Sequence, residues 1–482
     1  MLTLLLLIIP LLAGGLVLVT KNNSAKQIAL LAALIELATA CVVFVQFKAN
    51  ASTQFGFSYA WIPSAGITFS AGIDGINLLL VMLTAFLVPL IILSTFRQLY
   101  KNASVFYALI LFMQAALIGV FTATDAFLFY FFFEAALIPV YFLAAIWGGE
   151  NRVKVTFKFF IYTIFGSLFM LVALVYLYSQ TPGTHTAQIT AFYQLGLGSY
   201  TQGLIFWAFF IAFAIKMPLF PFHTWQPDTY TESPTPATML LSGIMLKMGV
   251  YGLIRFILPI VPIGLQTWGN AAIVLSVIGI VYGSIIAVQQ RDMKRLVAYS
   301  SFAHVGLMAA GVFSKNINGL QGALIQMLAH GINVVGLFFV IEIIFSRTKT
   351  RNIEQLGGIT QRAPYLTVYF MILMLGSVAL PLTNGFVGEF LLLSGVYDYN
   401  KWLGAVAGIT IILGAVYMLR MFQRAMFGSK SSFTEHISDL SFSEKLVLFP
   451  LAFMVFWIGL YPNSFLALTQ PAVLNLLNSI HY

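Results

Sequence analysis

The chain has 482 residues, of which 60% are hydrophobic and 8% charged, with mean hydropathy +0.93 and net charge +9. Soluble domains carry about 25% charged residues, so a soluble fold is excluded and a polytopic membrane protein is expected. One cysteine, Cys41, and six histidines without HExxH or CxxCH spacing leave no internal disulfide, Cys-ligated iron–sulfur cluster or structural zinc site. No G-x-G-x-x-G or Walker A segment marks a nucleotide site.

Residues 2–20 lack a basic leader and a small-residue cleavage site, and read as a first span rather than a signal peptide. Thirteen further spans follow, at about 27–47, 76–96, 104–123, 125–147, 159–179, 203–222, 236–258, 270–290, 296–313, 318–345, 365–397, 402–423 and 446–468. The basic residues report topology rather than a nucleic-acid partner. With the loop after span one in the cytoplasm, alternate loops hold 18 lysines and arginines against 4 on the opposite side, Lys48, Arg255, Lys315 and Lys401. That bias places both termini outside. The polar connections 48–75 and 180–202 then lie outside, and 223–233 and 424–445 inside.

Two basic residues fall outside this pattern: Lys216 in span seven and Lys247 in span eight. A lysine near mid-membrane costs about 2.5–3.5 kcal/mol on insertion scales, so something must offset it. Glu134 lies nine residues into span five and Lys247 eleven residues beyond Pro236, depths of about 13 and 16 Å. His304 occupies span ten, His330 span eleven and Glu389 span twelve. One bridging water or polar side chain per gap would connect these six into a line suited to protons. Burial and an opposite charge act in opposite directions on a lysine or glutamate, and histidine already titrates near neutrality. Static ion pairing is the other reading of Glu134, Lys216 and Lys247. His304 and His330 are also open to a role as interior histidines bonding backbone carbonyls, and Glu389 to a place at a polar rim. Glu36 in span two has no visible partner and points to a neighbouring subunit or lipid-facing group. Asp74 in GIDGI reads as a helix cap, and Glu342 as a local partner of Arg347.

Helix breakers occur at membrane depth: Pro218 and Pro221, Pro234 and Pro236, and Pro381 with Asn384-Gly385. Freed backbone groups there must be satisfied by protein or water, and in transporters such breaks mark the ion path. KMPLFPF in span seven is echoed by LPLTNGF in span twelve. The five-span offset also pairs span five with ten and six with eleven, and an odd offset inverts the second unit.

The segments GIDGINLLLVMLT, FFFEAALIPVYFLAAIWGGENR, KFFIYTIFGSLFMLVAL, KMPLFPFHTWQPDTYTESPTPATMLLSGIMLKMGVYGLIRF, DMKRLVAYSSFAHVGLM, QMLAHGIN and NGFVGEFLLL span nearly the whole chain. They resemble the antiporter-like membrane subunits of respiratory complex I, NADH:quinone oxidoreductase. Glu389 favours the M-type branch, the counterpart of mitochondrial subunit 4, because L and N types typically carry lysine there. The absence of an extension for a lateral helix agrees. The resemblance implies an all-α polytopic fold of fourteen transmembrane helices with two inverted five-helix repeats. Its parts would be N-terminal spans in 1–101, a half-channel in 102–260, an inverted half-channel in 261–428 and a last span in 429–482. It implies that Glu134 and Lys216 form a coupled pair, that Lys247 is the central proton carrier, and that His304, His330 and Glu389 form the exit side. This chain would hold no cofactor or metal, with flavin, iron–sulfur clusters and quinone in partner subunits. The expected partners are other complex I membrane subunits, especially L- and N-type homologues, and the bilayer of an energy-transducing membrane, the bacterial cytoplasmic membrane foremost. The family's bridging residues are not all matched here, which leaves the route from Lys247 to His330 open. Three alternatives stand beside this reading: a subunit of a multi-subunit Na⁺/H⁺ antiporter, one of a ferredoxin-linked photosynthetic relative of complex I, and a structural spacer.

Overall fold

The computed structural model describes residues 1–480. Among them, twelve helices are long and apolar enough to cross a membrane. In chain order the longer helices are α1 (Leu2–Val19), α2 (Asn22–Gln46), α3 (Leu78–Ser94), α4 (Ala103–Thr122), α5 (Ala126–Trp147), α6 (Arg152–Gln180) and α7 (Ser199–Lys216). They continue with α8 (Thr235–Ile260), α9 (Pro262–Gln289), α10 (Met293–Phe313), α11 (Ile317–Thr348), α12 (Pro364–Ser377), α13 (Asn384–Tyr399), α14 (Lys401–Met426), α15 (Phe442–Leu460) and α16 (Asn463–Ser479). The shorter apolar helices α3 and α12 complete the fourteen expected spans, with α13 continuing the twelfth beyond its break.

The outer helices are half lipid-facing, whereas α8, α10 and α11 form the interior: the hydrophobic window of α8 is wholly buried. A polar side chain on α8 therefore finds its partners within the protein.

Helix starts follow local chemistry. Asp125 caps α5, its carboxylate accepting from the Phe127 and Leu128 amides. Asp292 caps α10 in the same way, through the Lys294 and Arg295 amides. Each aspartate also makes an isolated backbone bridge to a later loop, Asp125 to Gln188 and Asp292 to Asn352. The device thus recurs five helices on, the same offset that relates the broken spans.

Four features add to or sharpen the expected spans, two of them at the expected breaks. The connection 48–75 contains an antiparallel hairpin, β1 (Gln54–Ile62) and β2 (Ile67–Ile73). Aromatic residues at alternate positions 55, 57, 59 and 61 carry its period-two signal. Thr68 of β2 donates its amide to Asp125 Oδ2 at 2.9 Å, which ties the hairpin to the start of α5. Span seven ends at Lys216 rather than near 222, because Pro218 cannot continue the hydrogen-bond ladder. The Leu219 amide instead returns to the Ala214 carbonyl at 2.7 Å. Span twelve is two helices, interrupted over 378–383, where Ala379 and Leu382 hold φ of 59° and 74°. Such left-handed backbone costs non-glycine residues about 1–3 kcal/mol and persists only where the surroundings enforce it. Finally, α16 is an additional helix beyond the last expected span, packed against α11.

Candidate functional site

Helix α8 is irregular where it carries its lysine. Two π-helical turns, Leu241–Met245 and Leu253–Ile257, flank the α-helical segment Lys247–Gly252. Insertions of this kind re-aim side chains and gather at functional sites. The Lys247 ammonium, fully buried, donates to the Ser242 carbonyl at 2.6 Å and contacts His330 Nδ1 of α11 at 2.8 Å. The helices come this close because glycines face one another: a Cβ at Gly331 would stand 2.8 Å from the Gly243 carbonyl oxygen.

The line continues beyond His330. Its ring lies 5.8 Å from that of His304, centroid to centroid. His304 Nδ1 meets the Ser300 carbonyl at 2.7 Å, and its Nε2 meets Glu389 Oε1 at 3.0 Å. A carbonyl only accepts, so His304 Nδ1 carries hydrogen. The contact with Glu389 then holds one proton, on imidazolium or on carboxylic acid. A donating Lys247 requires a bare His330 Nδ1, which puts that ring's hydrogen on Nε2, where no hydrogen-bond partner lies among the described residues. His330 lines a polar cavity of about 10 Å³ together with Ser301, His304, Gln326, Asn333 and Ser377. The volume suits about one water molecule. Ser301 Oγ and Gln326 Oε1 are likewise without hydrogen-bond partners among the described residues.

Four of the six expected residues, Lys247, His330, His304 and Glu389, are thus brought together, and the step from Lys247 to His330 is a direct contact. The other two sit where α5 and α7 are interrupted. Glu134 is half-buried in the last turn before the break at Ala136, and Lys216 ends α7. The Lys216 ammonium lies 4.5 Å from the centre of the Phe133 ring, and Glu134 is near enough for its charge to act on it. No direct ion pair joins them among the described residues. The end of α7 adjoins the middle of α8 next to Lys216: a Cβ at Gly249 would stand 2.6 Å from the Met217 Cβ.

Several polar residues escaped the sequence reading. Gln326 and Asn333 stand four residues before and three after His330, and Ser300 four before His304, so each shares its histidine's helix face. Asn333 and Asn384 exchange amide hydrogen bonds of 3.0 and 3.1 Å, anchoring the start of α13, and with it Glu389, to α11. Other expectations are corrected. Glu342 does not pair with Arg347, which bonds Glu444 at 2.7 Å across to α15; Glu342 accepts from Gln98 and Thr235 instead. Glu36 is fully buried inside the chain, with neither carboxylate oxygen hydrogen-bonded among the described residues, rather than facing a neighbouring subunit. Asp74 caps a turn through the Ile76 and Asn77 amides and also pairs with Arg255 at 2.7 Å. Among the described residues no three His, Cys, Asp or Glu side chains converge in a way that could hold a metal ion.

The family model described as NADH:quinone oxidoreductase/Mrp antiporter, transmembrane, matches residues 123–414, more than half of the chain. The chain belongs to that family. It is 40% identical over 458 residues to NADH-quinone oxidoreductase subunit M of Rickettsia typhi, covering 95% of this chain and 92% of the relative. It is 36% identical over 465 residues to NADH-ubiquinone oxidoreductase chain 4 of Chondrus crispus, covering 96% and 94%. A chain of respiratory complex I from Thermus thermophilus superposes with a TM-score of 0.92 at 30% identity, over the whole of both chains. Family membership thus covers the breaks in α7, α8 and between α12 and α13, and the charged line runs through the matched region.

Proposed function

We propose that this chain is an M-type, proton-translocating membrane subunit of an NADH:quinone oxidoreductase, and that it has no redox site of its own. Flavin, iron–sulfur clusters and quinone belong to partner subunits in this reading, and L- and N-type homologues flank the chain in the membrane. The observation that carries the reading is the close-packed series Lys247, His330, His304 and Glu389 across four helices, the interior α8, α11 and α10 and the adjoining α13. Four titratable groups at such spacing, in a chain this apolar, serve proton transfer better than structure, since burying charge is costly unless it is used or paired.

Each group has a defined task. Lys247 receives a proton and gives it to His330 Nδ1. His330 releases the proton on its other nitrogen toward the polar cavity. His304 and Glu389 take it up and share it until it leaves. Lys216, held between the Phe133 ring and the charge of Glu134, acts on Lys247 through the α7–α8 contact. A change of charge on Glu134 shifts this balance, because a desolvated ammonium over an aromatic ring is held by about 2 kcal/mol. Moving a proton against 100 mV requires a comparable 2.3 kcal/mol, approximately. In this account residues 102–260 and 261–428 are two inverted half-channels, and both termini lie on the positive side of an energy-transducing membrane.

A subunit of a multi-subunit Na⁺/H⁺ antiporter is the second reading, favoured by a family that spans both kinds of complex. The assembled complex in proteoliposomes decides between them. NADH oxidation should acidify the lumen without Na⁺, whereas Na⁺-dependent exchange without an electron donor would support the second.

A further inference from the structure

Helices α8 and α11 carry a second meeting point at their far ends. Thr235 opens α8 twelve residues before Lys247, and Glu342 lies on α11 twelve residues after His330, each about 18 Å away along its helix. The two helices run antiparallel, so the equal offsets bring these residues together as well: Thr235 Oγ1 donates to Glu342 Oε2. Gln98 Nε2 of the α3–α4 connection donates to the other carboxylate oxygen at 2.8 Å. Lys294, buried at the start of α10 with its ammonium on the Ser233 carbonyl at 2.6 Å, lies within electrostatic reach of Glu342.

Glu342 also lines a cavity of about 250 Å³, with Arg97, Gln98, Ser346, Arg347 and Glu444. This volume is large enough for several waters. Arg97 at its mouth is more than half exposed, so the cavity opens at the end of the bundle where the basic loops gather. From Glu342 inward the α8 face is hydroxylated. Thr238 and Ser242 turn their hydroxyl hydrogens to the Tyr230 and Thr238 carbonyls at 2.9 and 2.7 Å, which leaves their oxygens free to accept. The line ends at Lys247, on the Ser242 carbonyl.

We propose that Glu342 is the proton-loading residue for Lys247, fed by water in this cavity. A proton from cavity water joins the Glu342 carboxylate. It then passes along the α8–α11 seam, by water bonded to Thr235, Thr238 and Ser242, to the neutral Lys247 amine. Glu342 returns to carboxylate and Lys247 becomes ammonium; one proton moves and no electrons do. The inference rests on Lys247 being a proton carrier.

The test uses the assembled complex in proteoliposomes, with NADH-driven proton uptake, quinone reductase rate and assembly measured for each variant. Glu342→Gln is expected to lower proton uptake and coupled turnover at least tenfold, with Glu342→Asp losing less. Thr235→Val, which leaves every charge in place, should slow uptake severalfold. The double variant Glu342→Gln/Lys294→Met should remain as slow as Glu342→Gln alone. Recovery in that double variant would make Glu342 a static counter-charge for Lys294 and overturn the proposal. So would unchanged pumping in both Glu342→Gln and Thr235→Val. Lys247→Ala separates the two levels: if it stops pumping while Glu342→Gln does not, only the inlet falls, and if it pumps normally, the carrier reading falls.

Discussion

Glu389→Gln separates proton transfer from packing. The His304 Nε2 to Glu389 Oε1 contact is 3.0 Å long, and both side chains are less than a tenth exposed. A glutamine has nearly the same shape and can donate its amide to His304, whose Nδ1 remains on the Ser300 carbonyl. A charge-assisted hydrogen bond of about 1.5–3 kcal/mol becomes a neutral one of about 0.5–1.5. The loss, about 1–1.5 kcal/mol, is small beside a typical folding stability of about 5–15 kcal/mol, so the variant should assemble. Transfer responds differently, because an amide cannot take the proton that His304 hands on. An added barrier of about 2.7 kcal/mol is already a hundredfold in rate. Native gel analysis should show intact complex, while a pH-sensitive dye in proteoliposomes shows proton uptake reduced at least tenfold. Undiminished uptake per NADH oxidised would refute the assignment of Glu389.

Three further outcomes follow from the same geometry. Glu134→Ala should sharply slow coupled turnover in an assembled complex, and Glu134→Asp should retain more, because it keeps a carboxyl able to act on Lys216; equal rates in the two variants would contradict a charge-based role. Gly331→Ala places a methyl 2.8 Å from the Gly243 carbonyl and must spread α8 from α11, at a cost of about 1–3 kcal/mol. Its thermal midpoint and its pumping should fall together, by calorimetry and dye quenching. Glu36→Gln should change pumping less than any of these, since Glu36 has no hydrogen-bond partner, and so no bond to a relay residue, among the described residues.

Much of this was legible in the sequence, and the physical reason is cost. A lysine, glutamate or histidine inside an apolar span stands out, so Lys216, Lys247, Glu134, His304, His330 and Glu389 could be named before any geometry. The breaks were visible through Pro218, Pro381 and Asn384 because proline and Asn-Gly interrupt helices locally. Contacts between helices were not legible. That His330 meets Lys247 depends on Gly243 and Gly331 letting two backbones approach, and glycine is common in such chains. The partners of Glu342 are not legible either: Arg347, five residues on, is the nearest opposite charge in sequence, whereas Thr235 and Gln98 come from 107 and 244 positions away. The hairpin is hard to read from sequence because one short amphipathic ribbon is a weak signal beside fourteen apolar spans.

The central claim is that a proton crosses from Lys247 to His330 and onward to His304 and Glu389. His330→Gln tests it most directly, since the amide oxygen can still accept from the Lys247 ammonium but cannot pass a proton from one side of the ring to the other. The decisive quantity is the number of protons translocated per NADH oxidised by the reconstituted complex. The account predicts that this number falls and coupled turnover slows in an assembled complex; a wild-type ratio at a wild-type rate would contradict it.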